Sequence, residues 1–266
     1  MNLITIYSII AFIAYLAATV SILARLFHPN GPDHRLSIIL GSIALITHTL
    51  FVTNLMFNSV DINYNLLNVV SLVSLLISLL ISAIALKYKA NLLLPVVYGF
   101  SGLWLLVTPF IPPTVHIIPS PEKLSLVAHI VISLIAYCIL IIATLYAFQV
   151  NYISHKLKSK NLAAVSHLPP LMQVQQQLFL ILAIGTLTLL LSQITGFIFL
   201  DNHFSNENAH KTLLSIAALL VYCFILWGHY KKGWRGNRVL ILTLFASFLL
   251  TLAYFGSRFV KEFLLS

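Results

Sequence analysis

An ionisable side chain at membrane depth is costly, so one found inside a long apolar stretch is the first place to look for chemistry. In this chain the histidines are such residues. His48 lies within the second apolar stretch, and His129 about a turn inside the start of the fifth. His210 opens the seventh and His229 closes it, while His116 and His203 fall in two long connections. Neutral imidazoles converging from separate helices suit a haem iron or another transition metal. The competing reading of any one of them is a hydrogen-bonded interfacial residue, and spacing alone leaves both open.

Absences narrow the chemistry further. None of the six acidic residues lies inside an apolar stretch, so the buried carboxylates typical of ion-coupled carriers are missing. None of the 10 glycines forms a phosphate-binding Gly-Lys-Ser/Thr loop, and no Ser-His-Asp or Cys-His arrangement follows from the spacing. The chain therefore reads as a non-enzyme. Cys138 and Cys223 sit near the middle of apolar runs with no C-x-x-C pattern, and read as small core residues.

The elements that must position these side chains are transmembrane helices. Hydrophobic residues make up 60% of the chain and charged ones 8%, too apolar a mix for a fold surrounded by water. A spanning helix needs about 20 largely apolar residues. Eight segments meet that length: Leu3–Leu26, Leu36–Phe57, Tyr64–Leu86, Leu92–Phe110, Leu124–Gln149, Leu178–Leu200, Lys211–Tyr230 and Val239–Val260. The expected fold is all-α, one integral membrane domain over residues 1–266. The first run has no basic residue before it and is long enough to span, so it reads as a helix and not a cleavable signal.

Basic residues orient the bundle. Arg25, Arg35, Lys87, Lys89, Lys156, Lys158, Lys160, Lys231, Lys232, Arg235 and Arg238 occupy alternate loops, against Lys123, Lys211, Arg258 and Lys261 on the other side. By the positive-inside rule the first set is cytoplasmic and both termini are outside. The net charge of +9 then needs no nucleic-acid partner. His116, His129, His203 and His210 all come to the outer face under this orientation.

Three helices carry small, polar stripes at helical spacing: Asn68, Ser71, Ser74, Ser78 and Ser82; His129, Ser133, Ala136, Ala143 and Ala147, interrupted by Leu140; and Gly185, Thr188, Ser192 and Thr195. Such stripes let membrane helices approach closely and hydrogen-bond. Pro95 and Gly99 fall in the fourth segment, which reads as broken.

The turn His229-Tyr230-Lys231-Lys232-Gly233-Trp234-Arg235-Gly236 is the most distinctive string. Together with Ala253-Tyr254-Phe255-Gly256, with His129, Ser133 and Tyr137, and with Leu168-Pro169-Pro170-Leu171, it resembles the cytochrome c assembly protein family of CcsA- and CcmC-like haem handlers. The likeness is strongest to the YpjD-type, HemX-like branch of bacterial inner-membrane proteins, over the whole chain in helix count and over Leu124 to Phe263 in motifs. The resemblance implies a multi-pass protein of the bacterial inner membrane that handles haem b at the outer face. By position His129 resembles the family's first external ligand. The family's tryptophan-rich external loop is replaced by Asp201 to Lys211, without tryptophan, and no histidine follows the last helix. His210, at similar depth, is the expected second axial ligand. Implied partners are the bilayer, haem and other membrane or cytochrome-maturation proteins. A haem-free scaffold or regulator acting through the outer loops or the basic loop Asn151–His167 is the alternative, and a small-molecule transporter the third.

Overall fold

The computed structural model describes residues 3–26, 32–56, 65–88, 92–111, 124–160, 168–199 and 209–256. Among them all regular structure is helical: α1 (Leu3–Ala24), α2 (His34–Met56), α3 (Leu66–Lys87), α4 (Leu93–Val107), α5 (Leu124–Lys158), α6 (Leu171–Phe199), α7 (Ala209–Lys232) and α8 (Asn237–Thr251). A 3-10 turn, Thr108–Phe110, prolongs α4, and a π turn, Leu252–Gly256, prolongs α8. With these turns, eight helices are long and apolar enough to cross a bilayer.

The chain forms two compact units, the first built on α1–α4 and the second on α5–α8. In the first, α1 and α3 each pack on α2 and α4; in the second, α5 and α7 each pack on α6 and α8. Every helix thus has two neighbours and an outward face. On α7 that outward face is Leu213, Leu220, Phe224 and Trp227, while Thr212, Ser215, Ala218, Tyr222 and Gly228 are buried. An apolar exterior over a small, polar interior is the arrangement that lipid favours.

Local chemistry sets the helix ends. The Asp33 carboxylate accepts from the Arg35 and Leu36 amides at 3.0 and 3.3 Å and starts α2. Asn65 caps α3 through the Asn68 amide at 2.7 Å. Both satisfy backbone donors that no helical partner reaches. Helices α5 and α6 run beyond their expected ends, to Lys158 and back to Leu171. Hydropathy reports only the apolar part of a helix, whereas backbone hydrogen bonding continues through the polar residues beyond it. The fourth helix is continuous, in contrast to the broken reading. Pro95 is its third residue, in the first turn, where the missing N–H had no helical acceptor to lose.

The serine stripe of α3 packs as expected. Ser71, Ser74 and Ser78 are buried, the Ser78 and Ser101 hydroxyls meet at 2.8 Å, and Trp104 Nε1 donates to Ser71 Oγ at 2.8 Å. Of the two cysteines, Cys138 is buried, but Cys223 is exposed on α7, so only the first is a core residue.

In the second unit α5 and α6 lie antiparallel, with Ser133 opposite Ser192 and Leu140 opposite Gly185 two turns further along. Leu140 does not interrupt the α5 stripe; it is fully buried and fills the notch that Gly185 leaves. A Cβ at Gly185 would lie 2.8 Å from Leu140 Cδ2. Overpacking of that kind costs about 1–3 kcal/mol, against a gain of about 1 kcal/mol in helix propensity. Gly185→Ala is therefore expected to lower stability in detergent by roughly 1 kcal/mol, read as an earlier unfolding midpoint in a denaturant titration.

Candidate functional site

His129 stands in the second turn of α5, facing α6. Its Nδ1 lies 3.0 Å from the Ser192 carbonyl and 3.2 Å from Thr195 Oγ1. A carbonyl only accepts, so Nδ1 carries the proton and donates, and the lone pair of the neutral ring is on Nε2. Thr195 donates its hydroxyl to the same carbonyl at 2.8 Å, which holds the acceptor in place. The ring is therefore fixed in one tautomer and one orientation, as a metal-binding histidine commonly is by a backbone carbonyl.

A hydroxyl cluster continues from the ring. Ser133, one turn along α5, donates to the His129 carbonyl at 2.6 Å and lies 2.6 Å from Ser192 Oγ, with its own Oγ 3.5 Å from His129 Nε2. The Tyr254 phenol, in the π turn after α8, stands close to the same two serines. Tyr137 follows on α5; its hydroxyl meets Thr251 at 3.1 Å and its ring meets Tyr254 and Phe255, each at 5.4 Å between centroids. Three helices and the π turn thus contribute to one polar group at the His129 end of the unit. Ser192→Ala removes the serine pair and is expected to cost about 0.6–1.7 kcal/mol, the range for a hydrogen bond between membrane helices, with chemical denaturation in detergent as the measurement.

His210, the second residue of α7, is exposed on the same outward stripe as Leu213, Leu220 and Phe224. The structure does not turn it toward the His129 group: the described hydrogen bonds of His129 run to α5 and α6. His116, His203 and the segment that replaces the tryptophan-rich loop, up to Asn208, lie outside the described residues. His48 belongs to the first unit, in contact with Tyr15. Among the described residues no group of three or more His, Cys, Asp or Glu is placed to hold a metal ion.

The distinctive turn between α7 and α8 has a structural role. Gly233 and Gly236 adopt φ of 64° and 68°, which few other residues adopt without strain. The Gly233 amide donates to His229 O, the bond of an αL cap, and the Trp234 amide donates to Gly228 O. Trp234 then folds back onto Gly228 and meets Phe224 edge-on at 4.9 Å. His229 Nδ1 donates to the Trp234 carbonyl at 3.2 Å, and the ring stacks on Phe179 of α6 at 3.3 Å.

Sequence reading had named His129, Ser133, Tyr137, Ser192, Thr195 and Tyr254 separately, as stripe or motif residues. Thr251 and the convergence of all these on one group were not foreseen. The available signal was the phase of each stripe, since the polar positions of α5 and α6 must face one another.

Comparison with known proteins agrees with this architecture. The family described as "Cytochrome C assembly protein" matches residues 36–265. The "Inner membrane protein YpjD" of Escherichia coli K12 is 40% identical over 261 residues, 97% of this chain and 98% of that protein. The protein of the same name from Escherichia coli O157:H7 matches to the same extent. An Azospirillum brasilense protein, "Uncharacterized 28.8 kDa protein in nifR3-like 5'region", is 32% identical over 140 residues, 52% of each chain. No solved structure matches. Eight spanning helices and near full-length likeness to a protein named for the inner membrane make this a multi-pass inner-membrane protein. With a match from residue 36 to residue 265, the chain belongs to the cytochrome c assembly protein family.

Proposed function

We propose that the second unit binds and hands on haem b at the outer face of the inner membrane, without catalysing a reaction, with His129 as one axial ligand. The observation that carries this reading is the tautomer of His129: its Nδ1–H is committed to the Ser192 carbonyl, which gives Nε2 the lone pair that an iron ligand needs. The donor set fits the group. One neutral imidazole lies among hydroxyls and aromatic rings. Haem supplies an iron that accepts nitrogen ligands at its axial positions. Ser192 and Thr195 orient the ring, Ser133 and Tyr254 offer hydroxyls beside it, and Tyr137 with Phe255 provides an aromatic wall. His210 is the second proposed ligand, supplied from the outward stripe of α7. The positive-inside arrangement puts this end, and both termini, outside.

A second reading has its own support. His210 faces away from the His129 group, and the family's tryptophan-rich loop has no counterpart in the sequence. In that reading the protein is a haem-free scaffold or regulator that meets other membrane proteins through its loops, Asn151–His167 among them.

Titrating the purified protein with haem b separates the two. Haem binding at His129 gives a saturable Soret band with one equivalent bound. A titration indistinguishable from empty detergent micelles contradicts it and leaves the scaffold.

A further inference from the structure

The first unit contains an ionisable group for which haem handling at His129 gives no role. His48 is fully buried near the middle of α2. Its Nδ1 lies 3.1 Å from the Tyr15 hydroxyl of α1, and its ring meets Tyr15 edge-on at 5.7 Å. Nε2 faces the Ser71 backbone of α3 without closing a hydrogen bond, and no side chain takes its place. The Thr19 hydroxyl, one turn along α1 from Tyr15, is also buried and has no partner among the described residues. A packing role does not call for an imidazole here, because an apolar ring would fill the same space without an unsatisfied nitrogen.

Hydroxyls extend from this imidazole in two directions. Ser78 of α3 stands close to the Tyr15 hydroxyl, and its own Oγ meets Ser101 Oγ at 2.8 Å. The Tyr15 ring also rests on the Tyr98 ring at 5.2 Å, and the Tyr98 hydroxyl meets Ser82 at 2.7 Å, toward the Lys87 end of α3. Room for the Tyr98 hydroxyl comes from Gly41 of α2, where a Cβ would lie 2.6 Å away. The titratable groups facing His48 are Tyr15 from α1 and, behind it, Tyr98 from α4; α3 presents asparagine and serines. Charged side chains among the described residues of this unit (Arg25, Asp33, Arg35 and Lys87) all stand at helix ends.

We infer that the first unit relays protons, with His48 as the group that takes up and gives up the proton midway. A proton taken from water at one end reaches Nε2 and forms the imidazolium. In that form the Nδ1–H group has Tyr15 Oη as its acceptor, and the Nε2–H group faces the Ser71 backbone. Nδ1 then gives its proton to Tyr15 Oη as Tyr15 gives its own to Ser78, and each hydroxyl gains one proton and loses one. One proton is released to water at the far end and the imidazole returns to neutral. A lasting charge at this depth is costly, so the proton passes through and does not stay. Chains of ionisable side chains, histidine among them, relay protons in membrane pumps and transporters.

The test is proton flux in liposomes that hold the full chain and a trapped pH-sensitive dye, driven by a potassium diffusion potential. Wild type is expected to conduct faster than protein-free vesicles. His48→Phe, which keeps an aromatic ring, should return the rate to the protein-free value. Tyr15→Phe removes only the hydroxyl and should slow the flux while the protein elutes as wild type does, which separates a broken relay from a misfolded one. Cys223→Ala, exposed on α7 in the other unit, should leave the rate unchanged. A wild-type rate equal to that of protein-free vesicles overturns the inference, and so does a rate unaffected by both His48→Phe and Tyr15→Phe.

Discussion

Replacing His129 by alanine is expected to abolish saturable haem binding, while the protein stays folded and embedded in detergent. The ring is half-buried and its hydrogen bonds to Ser192 and Thr195 are worth about 1–2 kcal/mol together at most. Its loss is thus a modest matter for the fold. For iron it removes the proposed ligand. The supporting residues should show a graded effect: Thr195→Val deletes the hydroxyl that shares the Ser192 carbonyl, and loss of such a supporting partner typically weakens metal affinity about 10–100-fold. A haem titration followed at the Soret band measures both. Equal affinities in wild type, His129→Ala and Thr195→Val would remove His129 from the site.

The largest stability effect is expected at the turn between α7 and α8. Gly228 lies under the Trp234 ring, and a Cβ there would be 2.2 Å from Trp234 Cε3 and 2.4 Å from Cδ2. A fused ring held by an αL cap and by the His229 contact cannot retreat without opening the turn. Gly228→Ala should then cost at least about 2–3 kcal/mol, the upper part of the overpacking range, and release Trp234 to solvent or lipid. Gly99→Ala is the matched control, because no atom lies within 4 Å of its Cβ. That change should be neutral or slightly stabilising, since alanine favours a helix over glycine by about 1 kcal/mol. Denaturation in detergent gives the stability difference, and Trp234 fluorescence reports whether the turn has opened.

How far these features could be read from sequence depends on the distance over which they are set. Eight spans follow from composition because a bilayer demands a minimum apolar length. The serine stripe of α3 follows because its spacing matches the helical period. Capping by Asp33 and Asn65 is equally local. The partner of His129 is not local: its hydrogen bonds reach 63 and 66 residues along the chain, and they depend on how α5 and α6 slide past each other. Gly185 and Leu140 set that register, and the Leu140 side chain looked like a defect in its stripe until its notch was seen. His210 shows the opposite case. Depth along the helix put it level with His129, but rotation about the helix decides which way it faces. Thr212, Ser215, Ala218 and Tyr222 form the buried stripe of α7 and turn His210 outward. Phase was readable there, and depth alone does not give it. The broken appearance of the fourth span has a similar origin, since Pro95 counts as an interruption only if the helix has already begun well before it.

The family assignment and the geometry meet at one residue. The chain belongs to the cytochrome c assembly protein family, and its residues around His129 hold the ring as an iron ligand would be held. The most direct measurement is the reduced-minus-oxidised absorption spectrum of the protein as purified from cells, with no haem added, beside His129→Ala prepared in the same way. Haem handling predicts a low-spin haem b spectrum in the wild type that is missing from the variant. A colourless wild type that remains colourless after haem is supplied, or a haem spectrum of equal strength in the variant, would contradict it.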